Sequence, residues 1–358
     1  MFRPLLTALA GALAVSALAC GDAKLYPYVR IKPPDNCSGT DVMLGFAAVA
    51  SSGTDGGAGA GPTTGGGDLP AVPVNRIEDL LTELHRPEPR VILLDGMLTA
   101  PDTIKVTPDK DVRGGNKTLI GVGVNSGLTG AGLDLGYSDN VIVRNLKIAK
   151  VSVGEGDAIT ILDSHHIWID HCDLSSDRED TTAGYDGLVD ITHGSSFVTV
   201  SWTLFHDHKD TSLVGHTPNP DPMQQAEDEG LSVTYHHNGF FKVNSGPRVR
   251  WGTAHVANNH FDDVTSFGIV SDSAAIVFVD SNMFEDNVNT MNAVTTSYGD
   301  PIPGTMLESG DRFPSGFRLD IMRPTVAPPP LPYSYNADMP ATVSAIVPYC
   351  AGTGKLGF

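Results

Sequence analysis

The chain has 358 residues and carries a formal net charge of −19, from 42 acidic and 23 basic side chains. Nucleic-acid binding requires a positively charged face, so this balance argues against nucleic acid as a partner. An anionic polymer would not be attracted from a distance either, and its binding would require a bound cation or a local group of Arg and Lys side chains.

The N-terminus has the pattern of a signal peptide. Arg3 precedes an apolar run that ends at Ala19 and is too short for a stable membrane anchor. Because Cys20 follows small residues, we expect a bacterial lipoprotein with its lipid on this cysteine; ordinary cleavage after Ala19 is the alternative. We therefore predict a signal peptide at 1–19, a tether at 20–41, and a protein that is secreted or lipid-anchored at the bacterial cell surface.

Short elements are predicted next. The apolar stretch 43–50 is typical of a first strand, and stretches 91–94 and 118–120 also have strand composition. The apolar spacing in 74–85 predicts a helix, for which Asn75 is the candidate N-cap.

From residue 141 onward the sequence is periodic. Six eight-residue units each end in a large apolar residue, namely Ile148, Leu174, Phe205, Phe240, Phe261 and Phe284. They begin roughly twenty to thirty-five residues apart, as stacked repeats do. Two positions before the final residue, the last three units carry Asn238, Asn259 and Asn282.

This periodicity predicts an all-β fold, a right-handed parallel β-helix with irregular loops. Equal positions then stack, and the asparagine amides hydrogen-bond along the stack. A β-propeller or a sandwich is the alternative. A propeller blade would show four strands per repeat, whereas these repeats show two or three.

Four acidic residues lie at the ends of successive predicted strands. Glu155 and Asp157 are two positions apart, so in an extended chain they point to the same face. Asp186 and Asp190 flank the start of a later strand. Converging carboxylates repel each other unless a cation lies between them, and hard oxygen ligands favour Ca²⁺. We predict a calcium site at these four residues; ordinary solvated acids are the alternative.

The histidines and cysteines suggest structural roles. The pairs around His165, His206 and His236 lie within strand units without a Cys-x-x-Cys, so we expect hydrogen bonding and stacking rather than zinc. Export permits disulfides. Cys37 and Cys350 could be paired, although three candidate cysteines leave the pairing open, and the third, at position 172, is expected to be a buried thiol.

Several segments resemble extracellular pectate lyases of the pectate lyase superfamily. They include WIDHCDLS, DGLVDITHGSSFVTVSW, VTYHHNGF, HVANN and AGTGKL, and they follow the family's order across 42–358. The resemblance implies one parallel β-helix domain over that range. It also implies calcium-assisted β-elimination of polygalacturonate, an anionic plant cell-wall polysaccharide, with an Arg as the base. By position, the family's calcium ligands fall on the four acids named above.

Two positions depart from the family pattern. The family's catalytic Arg lies five residues before the retained Arg250, and Ser245 occupies that place. The family's substrate-binding Lys falls on Asp210. Serine is too weak a base without an activating partner. Arg248 or Lys209 could compensate, but three residues along a strand put Arg248 on the face opposite to the serine unless the backbone bulges.

We therefore expect catalytic roles for Arg248, Arg250 and Lys209, and substrate binding by Arg250 and Trp251, in a monomeric enzyme. Two alternatives remain. One is a catalytically impaired surface protein that binds pectin through calcium. The other is a lyase that acts on methylated pectin or another uronate polymer.

Overall fold

The computed structural model describes residues 37, 39–51, 61–180, 184–219, 221–288, 294–296, 298–317, 319 and 321–357. The predicted signal peptide, Cys20 and most of the tether lie outside these residues. Within them, no helix is both long and apolar enough to cross a membrane.

Strands dominate the described residues. They are β1 Val72–Val74, β2 Arg90–Leu94, β3 Met97–Thr99, β4 Ile104–Lys105, β5 Gly114–Gly121, β6 Gly127–Thr129, β7 Leu133–Asp134, β8 Ser138–Arg144, β9 Lys147–Ala149, β10 Ile159–Leu162, β11 His165–Asp170, β12 Asp173–Ser175, β13 Val189–Thr192, β14 Ser196–Ser201, β15 Leu204–Val214, β16 Ser232–His236, β17 Gly239–Arg250, β18 Thr253–Ala257, β19 His260–Phe267, β20 Ile269–Asp272, β21 Ile276–Asp280, β22 Met283–Phe284, β23 Val294–Thr295 and β24 Thr305–Ser309. The helices are α1 Ile77–Leu84, α2 Pro222–Asp228 and α3 Pro340–Cys350, with a 3₁₀ turn at Phe46–Ala48.

The strands form the coils of a parallel β-helix, as predicted. One sheet has ten strands in the order β1-β2-β5-β8-β11-β14-β16-β18-β21-β24. The remaining 14 strands form two rows that belong to one sheet, because the long strands β15 and β17 continue from one row into the other. Each coil therefore contributes to several faces, and the outward side chains of consecutive coils form continuous surfaces.

The six repeat units stack in register. Val141, Ile167 and Val198 are direct partners across β8, β11 and β14, and the later units continue the same alignment. The closing apolar residues also stack, and the rings of Phe205 and Phe240 lie 4.7 Å apart and almost parallel. This buried column runs along the axis of the helix and fixes the registration of the coils.

The predicted asparagine stack is confirmed. The Asn238 amide donates to Asn259 at 2.9 Å, and the Asn259 amide donates to Asn282 at 3.0 Å. The stack ends on a carboxylate, because the Asn282 amide donates to Asp311 Oδ1 at 2.8 Å. Burial raises the pKa of Asp311 to about 8, so the last rung carries a proton at neutral pH.

Two local expectations near the N-terminus are wrong. The stretch 43–50 contains the 3₁₀ turn rather than a strand. The backbone N–H groups of Phe46 and Ala47 donate to the hydroxyls of Thr234 and Thr199, on the outer face of the ten-stranded sheet, and this satisfies the backbone without a strand partner. Helix α1 begins after Arg76 rather than Asn75, and no side chain caps its first turn.

The C-terminal segment packs against the coils. The α3 side chains of Val343 and Val347 are buried beside Trp202. A disulfide joins Cys37 to Cys350, which closes a loop between residues 313 positions apart and confirms the suggested pairing. Cys172 is a buried free thiol.

Candidate active site

Three neighbouring strands bring the predicted acids to one outer surface. Strands β10, β13 and β15 are parallel partners, so Thr160, Asp190 and Leu213 form one row across them. Asp157 precedes β10, and Asp186 precedes β13 on the adjacent coil. The turns that carry these two acids are joined, since the Asp186 N–H donates to the Gly156 carbonyl.

Asp157 is held in a buried position. It is 7% exposed and accepts hydrogen bonds from the Gly187 N–H and the Thr160 hydroxyl, each at 2.9 Å. Burial raises the pKa of Asp157 to about 6, the two hydrogen bonds oppose this rise, and the charges of Asp186 and Glu155 add to it. The carboxylate is therefore costly to ionise while no cation is bound beside it.

Asp190 is half-buried on the next coil. Its Oδ1 accepts from the Leu213 N–H at 3.1 Å. Burial raises the pKa of Asp190 well above its usual value, and the charge of Asp157 raises it further. A Cβ on Gly187 would lie 2.4 Å from Asp190 Oδ1, so glycine leaves the space that this carboxylate occupies.

The donor set fits a hard divalent cation. Glu155, Asp157, Asp186 and Asp190 supply only oxygen ligands, which Ca²⁺ prefers. Burial is the main cause of the raised pKa values of Asp157 and Asp190, and repulsion from neighbouring acids adds to it; positive charge between the acids would offset both. Among the described residues, no three or more His, Cys, Asp or Glu side chains are already placed to hold a metal ion. Binding would therefore require these side chains to turn towards a common centre.

His208 supports the loop that carries one of these acids. Its Nε2 donates to the Asp186 carbonyl at 2.6 Å, and its Nδ1 accepts from the Ser176 hydroxyl. The side chain is buried. This agrees with a structural role for the histidine-rich segments, here in fixing the approach to β13.

Two adjoining cavities lie along this surface. The smaller one has a volume of about 350 Å³, and its polar lining includes Asp186, Asp190, Asp210, Ser245, Arg248 and Arg250. The larger one has a volume of about 610 Å³, and its lining includes Lys105, Asp134, Tyr137, Glu155, Asp157 and His193. Both cavities are lined by Asp186 and Asp190, so the acid cluster lies between two halves of an extended groove. Such a groove suits a linear polymer.

The two positions that depart from the family pattern are partners across adjacent strands. Asp210 on β15 is in register with Ser245 on β17. The Ser245 hydroxyl lies 3.3 Å from Asp210 Oδ1 and 3.1 Å from the Lys209 carbonyl, and it points its proton at these acceptors. The serine is 2% exposed, whereas Asp210 is exposed to the cavity. An acid and a hydroxyl thus occupy the place where two cations were expected.

Arg248 lines the same cavity as Ser245, although the arginine is half-buried and the serine is buried. The register shift of β17 against β19 lies before Ser245, and the pairing with β15 is regular from Ser245 to Arg248, so the bulge that was considered does not lie between these two residues. The Arg248 guanidinium donates to Asp272 and to Asp300, each at 2.8 Å. Two carboxylates hold it as a fixed cation.

The other predicted residues divide into two groups. Arg250 lines the smaller cavity, and its Nε donates to Asp300 at 2.8 Å. Lys209 is not among the described residues that line either cavity. Trp251 is 3% exposed, and its indole N–H donates to the Thr217 carbonyl. Burial thus leaves Trp251 little surface for stacking on a sugar.

Comparison with known proteins decides the family. A family model described as pectate lyase matches residues 38–356. The chain belongs to the pectate lyase family. It is 36% identical over 288 residues to pectate lyase A of Aspergillus niger, covering 80% of this chain and 83% of that protein. It is 40% identical over 255 residues to pectate lyase B of Colletotrichum gloeosporioides, covering 70% and 72%.

A solved structure extends the agreement to three dimensions. The pectate lyase from Bacillus sp. N165, determined in complex with trigalacturonate, superposes with a TM-score of 0.74 at 30% identity. The match covers 88% of this chain and 99% of that one. These comparisons confirm the resemblance, the parallel β-helix and the assignment to a family of polysaccharide lyases.

Proposed function

We propose that this protein is an exported, calcium-dependent lyase that cleaves polygalacturonate by β-elimination. The observation that carries the proposal is the group of four acids at the centre of the groove, among which the buried Asp157 and the half-buried Asp190 have raised pKa values. Relatives named as pectate lyases and a structural neighbour bound to trigalacturonate support the substrate class.

Glu155, Asp157, Asp186 and Asp190 would hold Ca²⁺. When bound, the ion supplies positive charge that offsets a uronate carboxylate and favours loss of the adjacent C5 proton. The protein contributes the groove, which orients the chain of sugars, and the paired strands β10, β13 and β15, which keep the acids close together. Calcium is also the means by which a protein of net charge −19 can bind an anionic polymer.

We assign Arg250 and Arg248 to substrate binding. Both line the smaller cavity, and both are oriented by Asp300. A guanidinium held in this way presents its remaining N–H groups in a fixed plane, which suits a uronate carboxylate. Lys209 and Trp251 are not included, since the first does not line the described cavities and the second is buried.

The N-terminal pattern supports export, with a signal peptide at 1–19 and a lipid anchor at Cys20 as the finer proposal. Mass spectrometry of the mature protein tests it. A diacylglycerol-modified Cys20 at the new N-terminus supports the anchor, whereas an unmodified N-terminus after Ala19 supports secretion.

The enzymatic proposal is tested by incubating the protein with polygalacturonate and Ca²⁺ and following the ultraviolet absorbance of the unsaturated product. We expect product that disappears when calcium is chelated. Asp190→Asn should abolish calcium binding, measured by calorimetry, while the exposed helix variant Asp79→Asn should leave it unchanged. Product formation that does not respond to chelation would contradict the proposal.

A second function is favoured by one observation, namely the acid and serine at positions 210 and 245. If these replacements remove turnover, the protein is a calcium-dependent pectin-binding protein. Calcium-dependent retention on immobilised polygalacturonate without any unsaturated product would establish this alternative.

A further inference from the structure

The smaller cavity contains one ionisable side chain that the proposed function does not yet use. Asp186 and Asp190 belong to the cation site, and Arg248 and Arg250 bind substrate. The Tyr298 hydroxyl is engaged with the Ser266 hydroxyl at 2.6 Å. Asp210 lines the same cavity between these groups, and its role is open.

The neighbouring arginine is poorly suited to remove a proton. Arg248 donates to Asp272, which is fully buried, and to Asp300 and the Tyr298 carbonyl. These contacts fix the guanidinium as a hydrogen-bond donor to carboxylate and carbonyl oxygens, whereas a base must accept a proton. Arg248 therefore supplies a cation for binding in this cavity, but does not replace the missing base.

Asp210 is placed beside the acid cluster by the strand register. Val189 on β13 is the partner of Ser212 on β15. Continuing this register by two residues puts Asp210 opposite Gly187, next to Asp186. Adjacent strands are about 4.8 Å apart. A uronate bound against the cation site would thus have Asp210 one strand away from the ligands.

The environment of Asp210 orients the carboxylate without burying it. It is exposed to the cavity, whereas Asp157 is almost fully buried. The Ser245 hydroxyl, which is itself 2% exposed, approaches Asp210 Oδ1 at 3.3 Å and leaves the second oxygen free of that contact. Serine at this position therefore positions an acid instead of acting as a base itself.

We propose that Asp210 is the general base of the elimination, which makes it a catalytic residue beyond those assigned above. The inference rests on the proposed lyase function. The Asp210 carboxylate takes the C5 proton of the uronate. The electron pair of that C–H bond forms the C4=C5 double bond, the C4–O4 bond breaks with its electron pair, and the departing oxygen takes a proton from water.

A carboxylate is an adequate base for this step. Carboxylates remove protons adjacent to carbonyl groups in other enzymes when the developing charge is stabilised nearby. Here Arg250 and the cation site would stabilise that charge. A positioned base contributes about 10²–10⁴-fold to the rate.

The test compares Asp210→Asn, Asp210→Glu and the exposed helix variant Asp79→Asn with the unchanged protein, using polygalacturonate and Ca²⁺. We expect Asp210→Asn to lower kcat by about 10²–10⁴-fold with KM little changed. Asp210→Glu should recover part of the loss, because it restores a carboxylate, and Asp79→Asn should keep kcat near that of the unchanged protein. Calcium affinity, measured by calorimetry, should be the same in Asp210→Asn.

Three outcomes would overturn the assignment. If Asp210→Asn keeps the original kcat, Asp210 is not the base, although the lyase function stands. If Asp210→Asn loses calcium affinity in parallel with kcat, Asp210 is a ligand of the ion instead. If the unchanged protein yields no unsaturated product, the lyase function fails together with the base.

Discussion

Asp157 provides the sharpest link between the stability of this protein and its function. Its pKa is raised to about 6 in the folded protein, against 3.8 for an ordinary Asp. The folded state therefore binds more protons than the unfolded state between these two values. The free energy of unfolding of the calcium-free protein must fall as pH rises through this window. A difference of about two pKa units corresponds to about 3 kcal/mol at pH 7.

Asp157→Asn should remove this penalty. The amide oxygen can still accept from the Gly187 N–H, and the Thr160 hydroxyl can accept from the new amide. In a chelating buffer at pH 7 we expect the variant to be more stable than the unchanged protein by up to about 3 kcal/mol, and the two to converge at pH 4. With Ca²⁺ at a thousandfold excess over Kd the order should reverse, because only the unchanged protein gains binding energy, about 4.1 kcal/mol, which exceeds the penalty of about 3 kcal/mol.

The assay is urea unfolding at several pH values, with chelator and with Ca²⁺. The difference between the two proteins isolates Asp157 from other titrating groups, and Asp79→Asn controls for the loss of one surface charge. A variant that is less stable than the unchanged protein in chelator at pH 7 would refute the reasoning, as would a difference that does not vary between pH 4 and 7.

Three further predictions concern other parts of the chain. Asp311→Asn should stabilise the protein above neutral pH, because the unchanged protein, whose folded pKa of about 8 lies above the unfolded value, loses up to about 1.4 kcal/mol for each pH unit between 4 and 8. Thermal unfolding in which the variant keeps the pH slope of the unchanged protein would contradict this. Replacing Cys37 and Cys350 by Ser should lower the free energy of unfolding by about 2–5 kcal/mol, measured in urea, and no change would mean that the bridge does not constrain the unfolded chain. The double variant Asp210→Lys with Ser245→Arg restores both family cations, and its kcat should equal or exceed that of the unchanged protein; loss of activity with retained calcium binding would show that this cavity no longer accommodates an arginine base.

The coils could be predicted from the sequence because their pattern is local and repeated. The units ending at Phe205, Phe240, Phe261 and Phe284 align in the structure as they align in the sequence, since one residue per coil must fill the axis. The asparagine stack follows from the same repetition. The end of the stack at Asp311 could not be predicted from the sequence, because that residue lies in no repeat unit.

The remaining features depend on contacts between distant segments. The 43–50 turn forms because Thr199 and Thr234 offer hydroxyls to its backbone. Ser245 and Arg248 line one cavity together with residues of other strands, which the alternation of side chains along a single strand cannot predict. The contact of Ser245 with Asp210 joins residues 35 positions apart. The sequence identified both as departures from the family, but only the strand register makes them partners.

The central claim is that carboxylates from consecutive coils share one cation that binds a uronate. A crystal structure of the protein with Ca²⁺ and trigalacturonate tests this most directly. We predict an ion ligated by Glu155, Asp157, Asp186 and Asp190, with a sugar carboxylate against it in the groove. An ion bound elsewhere, or a sugar whose carboxylates lie away from these acids, would contradict the account.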